Sequence, residues 1–247
     1  MSENIVVPES RIPSWPTPYD EKGRTAKELY REVIDDVLPQ EQADWLSRTV
    51  INKSSKWGYI HDSSGTVPDG AKQFPSFAKP VFNDEDPRKI IDQQWMDLLE
   101  CPLYTLAAKG GQDCKRMTRV RLGMHVPDGS WTGPHGPHVD QTRPHMVILY
   151  YCNDSDGDTF FFERDHKTII DRVSPKKNRM VVFDGMTPHA SSYPTNPYRI
   201  TINLNFYNVE ESPFNMGNVG MDHFAGVVHK KSESSDPSHT YNLNGNY

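Results

Sequence analysis

Apolar positions change their spacing about halfway along the chain. Up to about residue 112 they recur three and four residues apart, which is typical of amphipathic helices. Thr25 and Glu28 form a capping box, and the apolar pattern that follows predicts a helix ending at Pro39. A second amphipathic stretch comes next, and Asp86-Pro87-Arg88 predicts the start of a third helix. We predict that these helices buttress a sheet.

After residue 115 the apolar residues form short runs separated by turns, with no helical pattern between them. Eight strands are predicted at 117–122, 137–140, 145–152, 159–163, 168–173, 179–183, 190–193 and 199–208. So many short strands favour an all-β barrel or jelly roll, because closure protects the strand edges. The predicted fold class is therefore mainly β with flanking N-terminal α-helices.

A length of 247 residues allows one sizeable domain, which we predict to span 1–247. Its parts are an extended proline-rich arm at 1–24, helical support and a loop at 25–112, the barrel at 113–208, and a tail rich in Asn, Ser and Gly at 209–247. Residues 58–79 predict a long loop around one possible short strand near Trp57. Such a loop serves either as a lid or as a spacer.

Charge and cysteine content narrow the function classes. The formal net charge of −6 lacks the basic footprint of nucleic-acid binding, so we disfavour a nucleic-acid partner. The three cysteines contain no Cys-x-x-Cys pair, which argues against a disulfide framework or a structural zinc site and favours a reducing compartment. With no signal sequence and no membrane-spanning apolar run, we expect a cytoplasmic protein that does not enter a membrane. The oligomeric state is left open.

The most informative motif is His138-Val139-Asp140, followed by His189 49 positions after the aspartate. On an extended strand, residues two apart project to the same side, about 6 to 7 Å from each other. His189 follows the apolar run 180–183, which suits the edge of a barrel. Two imidazoles and one carboxylate can hold one face of Fe(II) and leave its other positions open. We predict His138, Asp140 and His189 as metal ligands.

Arg199 lies ten positions after His189, in a strand that alternates in polarity. Arg199, Thr201 and Asn203 share one face, and Ile200, Ile202 and Leu204 share the other. The polar face must line a wet space, where a guanidinium can hold a carboxylate through two parallel hydrogen bonds.

Three further residues flank the metal motif. Gly and Pro around His135 favour a turn, so His135 is interpreted as a residue of the pocket rim. Trp131 and Arg143 lie on either side of the motif. We predict Trp131, His135 and Arg143 as candidate substrate contacts, although an exposed loop aromatic is an equally simple interpretation of Trp131.

The order of these elements resembles the 2-oxoglutarate and Fe(II)-dependent dioxygenases, particularly the prolyl 4-hydroxylase-like branch. The resemblance runs from about residue 33 to 208 and is strongest after residue 115. It rests on these segments: Val33-Ile34-Asp35-Asp36-Val37-Leu38-Pro39, Gln42-Ala43-Asp44-Trp45-Leu46, His138-Val139-Asp140, Ile148-Leu149-Tyr150-Tyr151-Cys152-Asn153, Gly157-Asp158-Thr159-Phe160-Phe161, Val182-Phe183-Asp184, His189 and Arg199-Ile200-Thr201.

The resemblance implies a double-stranded β-helix, a jelly-roll barrel of the cupin-like kind. It implies that Arg199, with Thr201, binds the distal carboxylate of 2-oxoglutarate, and it carries a cosubstrate-binding tyrosine onto Tyr151. The tyrosine often found in the first barrel strand is absent; Met124-His125 occupies that neighbourhood, so His125 or one of the arginines Arg119 and Arg121 can take its place.

The implied activity is an oxidoreductase reaction, in which a hydroxylase oxidises a C–H bond of a peptide or protein, prolyl-like, or of a small molecule. It consumes Fe(II)-activated O2 and 2-oxoglutarate, releases succinate and CO2, and can be stimulated by ascorbate. Two alternatives remain. A cupin-type metalloenzyme that does not use 2-oxoglutarate would require a histidine in place of Asp140 and a nearby glutamate, and residues 141–146 contain no glutamate. A non-catalytic jelly-roll binding or structural module would not need an intact ligand set.

Overall fold

The computed structural model describes residues 30–52, 56–63, 73–195 and 198–207. Within these ranges the chain forms ten strands and two α-helices. In chain order they are β1 (Tyr30–Ile34), α1 (Gln40–Ile51), β2 (Gly58–Ile60), β3 (Ser76–Asn83), α2 (Gln93–Lys109), β4 (Met117–His125), β5 (His145–Tyr151), β6 (Thr159–Phe162), β7 (Ile169–Val173), β8 (Arg179–Asp184), β9 (His189–Ser191) and β10 (Arg199–Tyr207).

The strands form two antiparallel sheets, which make up the jelly roll. The larger sheet has the order β1-β8-β5-β10-β4-β3-β2, and the smaller one has the order β7-β6-β9. Apolar side chains of β5 and β8 meet Phe161 and Val173 of the smaller sheet, because alternate residues of a strand project to the same face. This inner layer contains Val147, Leu149, Tyr151, Val181 and Phe183.

The outer face of the larger sheet is covered by the two helices. Leu46 of α1 and Leu103 of α2 are fully buried in one cluster with Tyr150, Ile202 and Leu204. Residues of β5 and β10 that do not face the smaller sheet supply the other side of this cluster. The burial of these apolar side chains is the main contribution to the stability of the layer between helices and sheet. The predicted alternation of β10 is confirmed, since its isoleucines and leucine lie on the helix side.

The predicted helix ending at Pro39 is wrong over its described part. Residues 30–34 form β1, which pairs with the edge of β8 in a register that places Ile34 opposite Met180. Val33 and Ile34 are β-branched, which suits a strand, and an available sheet edge decides between two patterns that are locally similar. Residues 25–29 of that predicted helix lie outside the described residues, as do the predicted arm and the tail from 209.

Three other predicted boundaries also change. The third helix begins at Gln93 rather than near residue 86, because the Asp92 carboxylate caps it by accepting from the Trp95 backbone N–H at 3.1 Å. Residues 76–79, predicted as loop, belong to β3, whose Pro80 lies at an irregularity in the pairing with β4. The predicted strand at 137–140 is reduced to an isolated bridge between His138 and His189.

Of the predicted 58–79 loop, residues 58–60 form β2, near the predicted short strand, and 64–72 lie outside the described residues. No helix in the described ranges is long and apolar enough to cross a bilayer.

Candidate metal and cosubstrate site

His138 and His189 face each other across a two-residue antiparallel bridge. The His138 backbone N–H donates to His189 O at 3.0 Å, and the His189 N–H donates to His138 O at 2.9 Å. Asp140 follows His138 by two positions, and one ligand atom from each of the three side chains lies within 4.8 Å of the others. These distances fit three ligands of one ion of the kind that takes two imidazoles and a carboxylate.

Both imidazoles are oriented by backbone carbonyls. Nδ1 of His138 lies 3.1 Å from Gly136 O, and Nδ1 of His189 lies 3.0 Å from Thr187 O. A proton on each Nδ1 leaves each Nε2 lone pair for a metal, the arrangement common among histidine ligands. Burial lowers the pKa of His138 to about 4, with His189 adding to the effect, and burial also lowers the pKa of His189. Both rings are therefore neutral at pH 7, as metal ligation requires.

The Asp140 carboxylate is held by three side chains of the larger sheet. Its Oδ2 accepts from the amides of Asn203 at 2.9 Å and Asn205 at 3.0 Å, while Arg119 Nη2 lies 2.7 Å from Oδ1 as an ion pair. Burial acts to raise the pKa of Asp140, but the Arg119 guanidinium and the neighbouring histidines hold that pKa well below its usual range. Asp140 is thus a carboxylate with a fixed orientation.

Arg199 lies at the other end of the same cavity. It is 3% exposed, and its Nη2 donates to Thr159 Oγ1 at 2.8 Å. The Tyr151 hydroxyl donates to the same Thr159 oxygen at 2.8 Å, and the guanidinium carbon of Arg199 lies 5.6 Å from the centre of the Tyr151 ring. Thr201 lines the cavity beside Arg199. Arg199, Thr159 and Thr201 can therefore bind a carboxylate, with Tyr151 supporting them from behind.

One cavity joins the two ends. Its lining includes the three candidate metal ligands together with Arg199, Thr201 and Thr159. Leu149, Phe183 and Ala190 supply apolar walls, and Gly123 leaves part of the wall without a side chain. The geometry fits an elongated molecule that carries a carboxylate at Arg199 and reaches the metal ligands with its opposite end.

The residues considered in place of the first-strand tyrosine have different positions. His125 lies directly opposite Arg199 on β4 and lines the cavity, with Nε2 3.3 Å from Ser191 Oγ. Arg121 also lines the cavity and precedes Gly123 by two residues on β4. Arg119 forms an ion pair with Asp140. His125 is thus the residue placed beside Arg199, and Arg121 belongs to the metal end.

The three candidate substrate contacts lie apart from one another. His135 is 1% exposed and stacks on Phe74 with ring centres 4.5 Å apart, so it lies behind the cavity wall rather than on its rim. Trp131 Nε1 donates to Pro134 O at 3.0 Å, which folds the indole back onto its own loop. Arg143 is half-exposed and pairs with Glu85. Their contact with a substrate stays a prediction.

Four contributors were not singled out as site residues from the sequence: Thr159, Asn203, Asn205 and Ser191. The sequence predicts only that Asn203 lies on the polar face of its strand, and Asn205 shares that face two positions on. The signal for both was therefore available in the alternation of β10. Thr159 and Ser191 come from the smaller sheet, where they lie opposite each other on β6 and β9. Only the pairing of distant strands brings them to Arg199 and His125.

Residues 124–207 match the family model described as the 2OG-Fe(II) oxygenase superfamily. That match contains His138, Asp140, His189 and Arg199. No curated protein matches the sequence.

Solved structures similar to this chain include a Pseudomonas putida prolyl-4-hydroxylase, at 13% identity over 72% of this chain and 92% of that one, with a TM-score of 0.47. Another is a Trichoplax adhaerens prolyl hydroxylase in complex with a hypoxia inducible factor peptide fragment, at 14% identity over 73% and 84%, with a TM-score of 0.49. The viral collagen prolyl hydroxylase of Paramecium Bursaria Chlorella virus-1 has 16% identity over 74% and 98%, with a TM-score of 0.44. The match places residues 124–207, about a third of the chain, among sequences similar to the 2OG-Fe(II) oxygenase superfamily.

Proposed function

We propose that this dioxygenase hydroxylates a C–H bond of a peptide, prolyl-like, or of a small molecule, with His138, Asp140 and His189 as its iron ligands. The carrying observation is that three ligand atoms within 4.8 Å of one another and the Arg199 guanidinium line the same cavity. Fe(II) in such a site supplies the activation of O2 and the oxidative decarboxylation of 2-oxoglutarate to succinate and CO2.

The chain's own contribution begins with the orientation of the cosubstrate. The Arg199 guanidinium is charged and buried, and its described hydrogen-bond partner, Thr159, is neutral. A bound carboxylate would compensate that charge through two parallel hydrogen bonds. Burial raises the pKa of Tyr151, so its phenol stays protonated and keeps donating to Thr159. The hydrogen bonds from Tyr151 and Arg199 together hold Thr159 in position beside the carboxylate.

The metal end of the cavity fixes the orientation of the three ligand side chains and is lined in part by apolar residues. Carbonyl groups orient both imidazoles, and two asparagine amides orient Asp140. Phe183 and Leu149 limit the access of water to this end of the cavity. With a carboxylate as the third ligand, no protein position is vacated for a halide, so hydroxylation is the expected outcome.

The peptide or prolyl-like assignment rests on the resemblance of the motif segments. A cytoplasmic location is supported by Cys101, Cys114 and Cys152, all of which are free thiols. The binding-module alternative makes a different prediction, since it requires neither iron nor turnover.

The test uses the purified full chain with Fe(II), ascorbate, O2 and 2-oxoglutarate. We expect succinate release above the protein-free level even without substrate. His189→Ala should lose this release and most of its Fe(II) affinity, because two remaining ligands hold the ion poorly. His61→Ala, at an exposed histidine that does not line the cavity, is the matched control. No succinate at full iron loading would support the binding module, and unchanged iron affinity in His189→Ala would remove His189 from the site.

A further inference from the structure

Arg121 is a second arginine of the cavity whose charge the proposed reaction leaves unused. It lies on β4 with its side chain on the cavity face, as do Gly123 and His125. Among the described residues, no carboxylate lies within ion-pair distance of its guanidinium. Arg119, the other arginine on this face, contacts Asp140, and Arg199 contacts Thr159.

The strand register places Arg121 at the metal end of the cavity. Arg121 is directly opposite Asn203 on β10, and Asn203 donates to the Asp140 carboxylate. Arg199 lies opposite His125, four residues away along β4, which corresponds to about 13 Å of extended strand. The two arginines therefore leave the backbone at separate points of the cavity, Arg199 at the carboxylate end and Arg121 nearer the metal ligands. An anion bound by Arg121 is then either the carboxylate of 2-oxoglutarate at the metal end or a carboxylate of the substrate.

The net charge of the loaded site favours a carboxylate of the substrate. Fe(II) and the doubly charged 2-oxoglutarate cancel, and Asp140, the one acidic residue of the described lining, is paired with Arg119. The positive charges of Arg121 and Arg199 then exceed the negative charge of the cavity lining. Burial, with Arg119 nearby, lowers the pKa of Arg121 but leaves it cationic at neutral pH. A cation held this way favours an anionic ligand and disfavours a neutral or cationic one.

We propose that the oxidised substrate carries a carboxylate that Arg121 binds at the metal end of the cavity. This inference rests on the proposed function and narrows its substrate class. A free amino acid, another small carboxylic acid, or a peptide with an acidic side chain beside the oxidised residue meets the requirement. An internal prolyl residue with neutral neighbours does not.

The test compares carboxylates with their neutral counterparts. The panel contains free amino acids including L-proline, aliphatic dicarboxylic acids, and peptides containing Asp-Pro, each matched to its carboxamide or to the Asn-Pro peptide. Succinate release above the substrate-free level and a product mass gain of one oxygen are measured for every compound. We expect at least one acid to be preferred over its amide by about 10-fold or more in kcat/KM.

Variants assign that preference to Arg121. Arg121→Gln should lower kcat/KM for the preferred acid by about 10- to 100-fold while the amide changes little, because only the acid loses a charged hydrogen bond. Arg121→Lys should recover part of the loss. Arg116→Gln, which removes the same charge from an exposed position just before β4, is the control and should keep the preference.

Three results would overturn the proposal: no carboxylate stimulates turnover, amides are used as well as acids, or Arg121→Gln retains the preference. A fourth concerns the cosubstrate. If Arg121→Gln weakens 2-oxoglutarate binding as much as Arg199→Gln does in anaerobic titrations of the Fe(II) charge-transfer absorption, then Arg121 serves the cosubstrate instead. Succinate release without substrate separates the failure of this proposal from the failure of the proposed function. If succinate is released but no carboxylate is oxidised, the dioxygenase activity stands and only the carboxylate substrate is ruled out.

Discussion

Asn205 donates a hydrogen bond from its side-chain amide to Oδ2 of Asp140 at 3.0 Å, across a separation of 65 residues. Asn205 is fully buried, and Asp140 lies between β4 and β5 in a segment whose described sheet pairings are the isolated bridges at Pro134 and His138. The orientation of the carboxylate therefore depends on side chains of β4 and β10 rather than on its own backbone. Contacts of this kind position a metal ligand from outside the ligand set.

Replacing Asn205 with Leu should weaken metal binding without removing a ligand. The substitution keeps the number and branching of the side-chain heavy atoms but removes the amide that fixes Oδ2, so we expect an affinity for Fe(II) or Co(II) lower by about 10- to 100-fold. Calorimetric titration of the metal measures the affinity, and the absorption bands of bound Co(II) report a changed coordination geometry. Asn52→Leu, at the exposed end of α1, should bind metal like the parent. Equal affinities for the two variants would show that Asn205 does not position Asp140.

Thr159→Val tests the cosubstrate end. The Thr159 oxygen already accepts hydrogen bonds from Tyr151 and Arg199, so its own proton is available to a carboxylate in the cavity. Valine has the same shape but leaves both donors without their partner, and we expect the dissociation constant of 2-oxoglutarate to rise by about 10-fold. Anaerobic titration of the Fe(II) charge-transfer absorption measures it. Thr105→Val, where the hydroxyl bonds only to the preceding turn of α2, should leave that constant unchanged. A rise in both variants would point to a general loss of structure.

The site residues that can be predicted from the sequence are those marked by a pattern of neighbouring residues. His138 and Asp140 are two residues apart, and the alternation of Arg199, Thr201 and Asn203 marks a wet strand face without knowledge of any partner strand. Thr159 carries no such signal, because its role depends on which strands pair with β6. Long-range pairing of this kind is invisible to residue spacing.

The fold, like the site, could be predicted in part from the sequence. Strands in the second half were predicted from their short apolar runs, and seven of the eight are present. Residues 30–34 were predicted as helix because their apolar positions also match a helical period. The deciding fact is the free edge of β8, which lies about 150 positions further along the chain.

Asp35 links β1 to β8 through a paired contact with Arg179, whose Nε and Nη2 lie 2.6 Å and 3.0 Å from its two carboxylate oxygens. Hydrogen bonding to Arg179 lowers the pKa of Asp35 from 3.8 to about 2. Since the folded pKa is the lower one, the stabilisation is complete above pH 3.8 and is lost as the pH falls through 2. The ion pair is partly exposed, so we expect it to contribute about 1 kcal/mol or less at neutral pH.

Asp35→Asn should therefore unfold at lower denaturant concentration than the parent at pH 7, and the difference should shrink as the pH approaches 2. Urea unfolding at pH 7, 4, 3 and 2 measures it. Asp36→Asn removes the same charge from the neighbouring residue, which makes no ion pair with the described residues, and is the control for the loss of a carboxylate without an ion pair. A constant difference across this range would mean that Asp35 acts through something other than its charge.

Gly185 lies against the buried ring of His145, close enough that an added Cβ would overlap the imidazole. His145 cannot easily move, because its Nδ1 is 2.7 Å from Arg143 O and the Gly185 N–H donates to His145 O at 2.7 Å. Gly185→Ala should therefore cost about 1 to 3 kcal/mol of stability and lower the Tm by about 2 to 10 °C. Gly129→Ala is the matched control, since its added Cβ would meet no atom within 4 Å. Thermal unfolding of both variants by circular dichroism measures the effect. A Tm for Gly185→Ala equal to that of Gly129→Ala would mean that the chain between β8 and β9 can shift away from His145, and His189 would then be less rigidly placed than its contacts indicate.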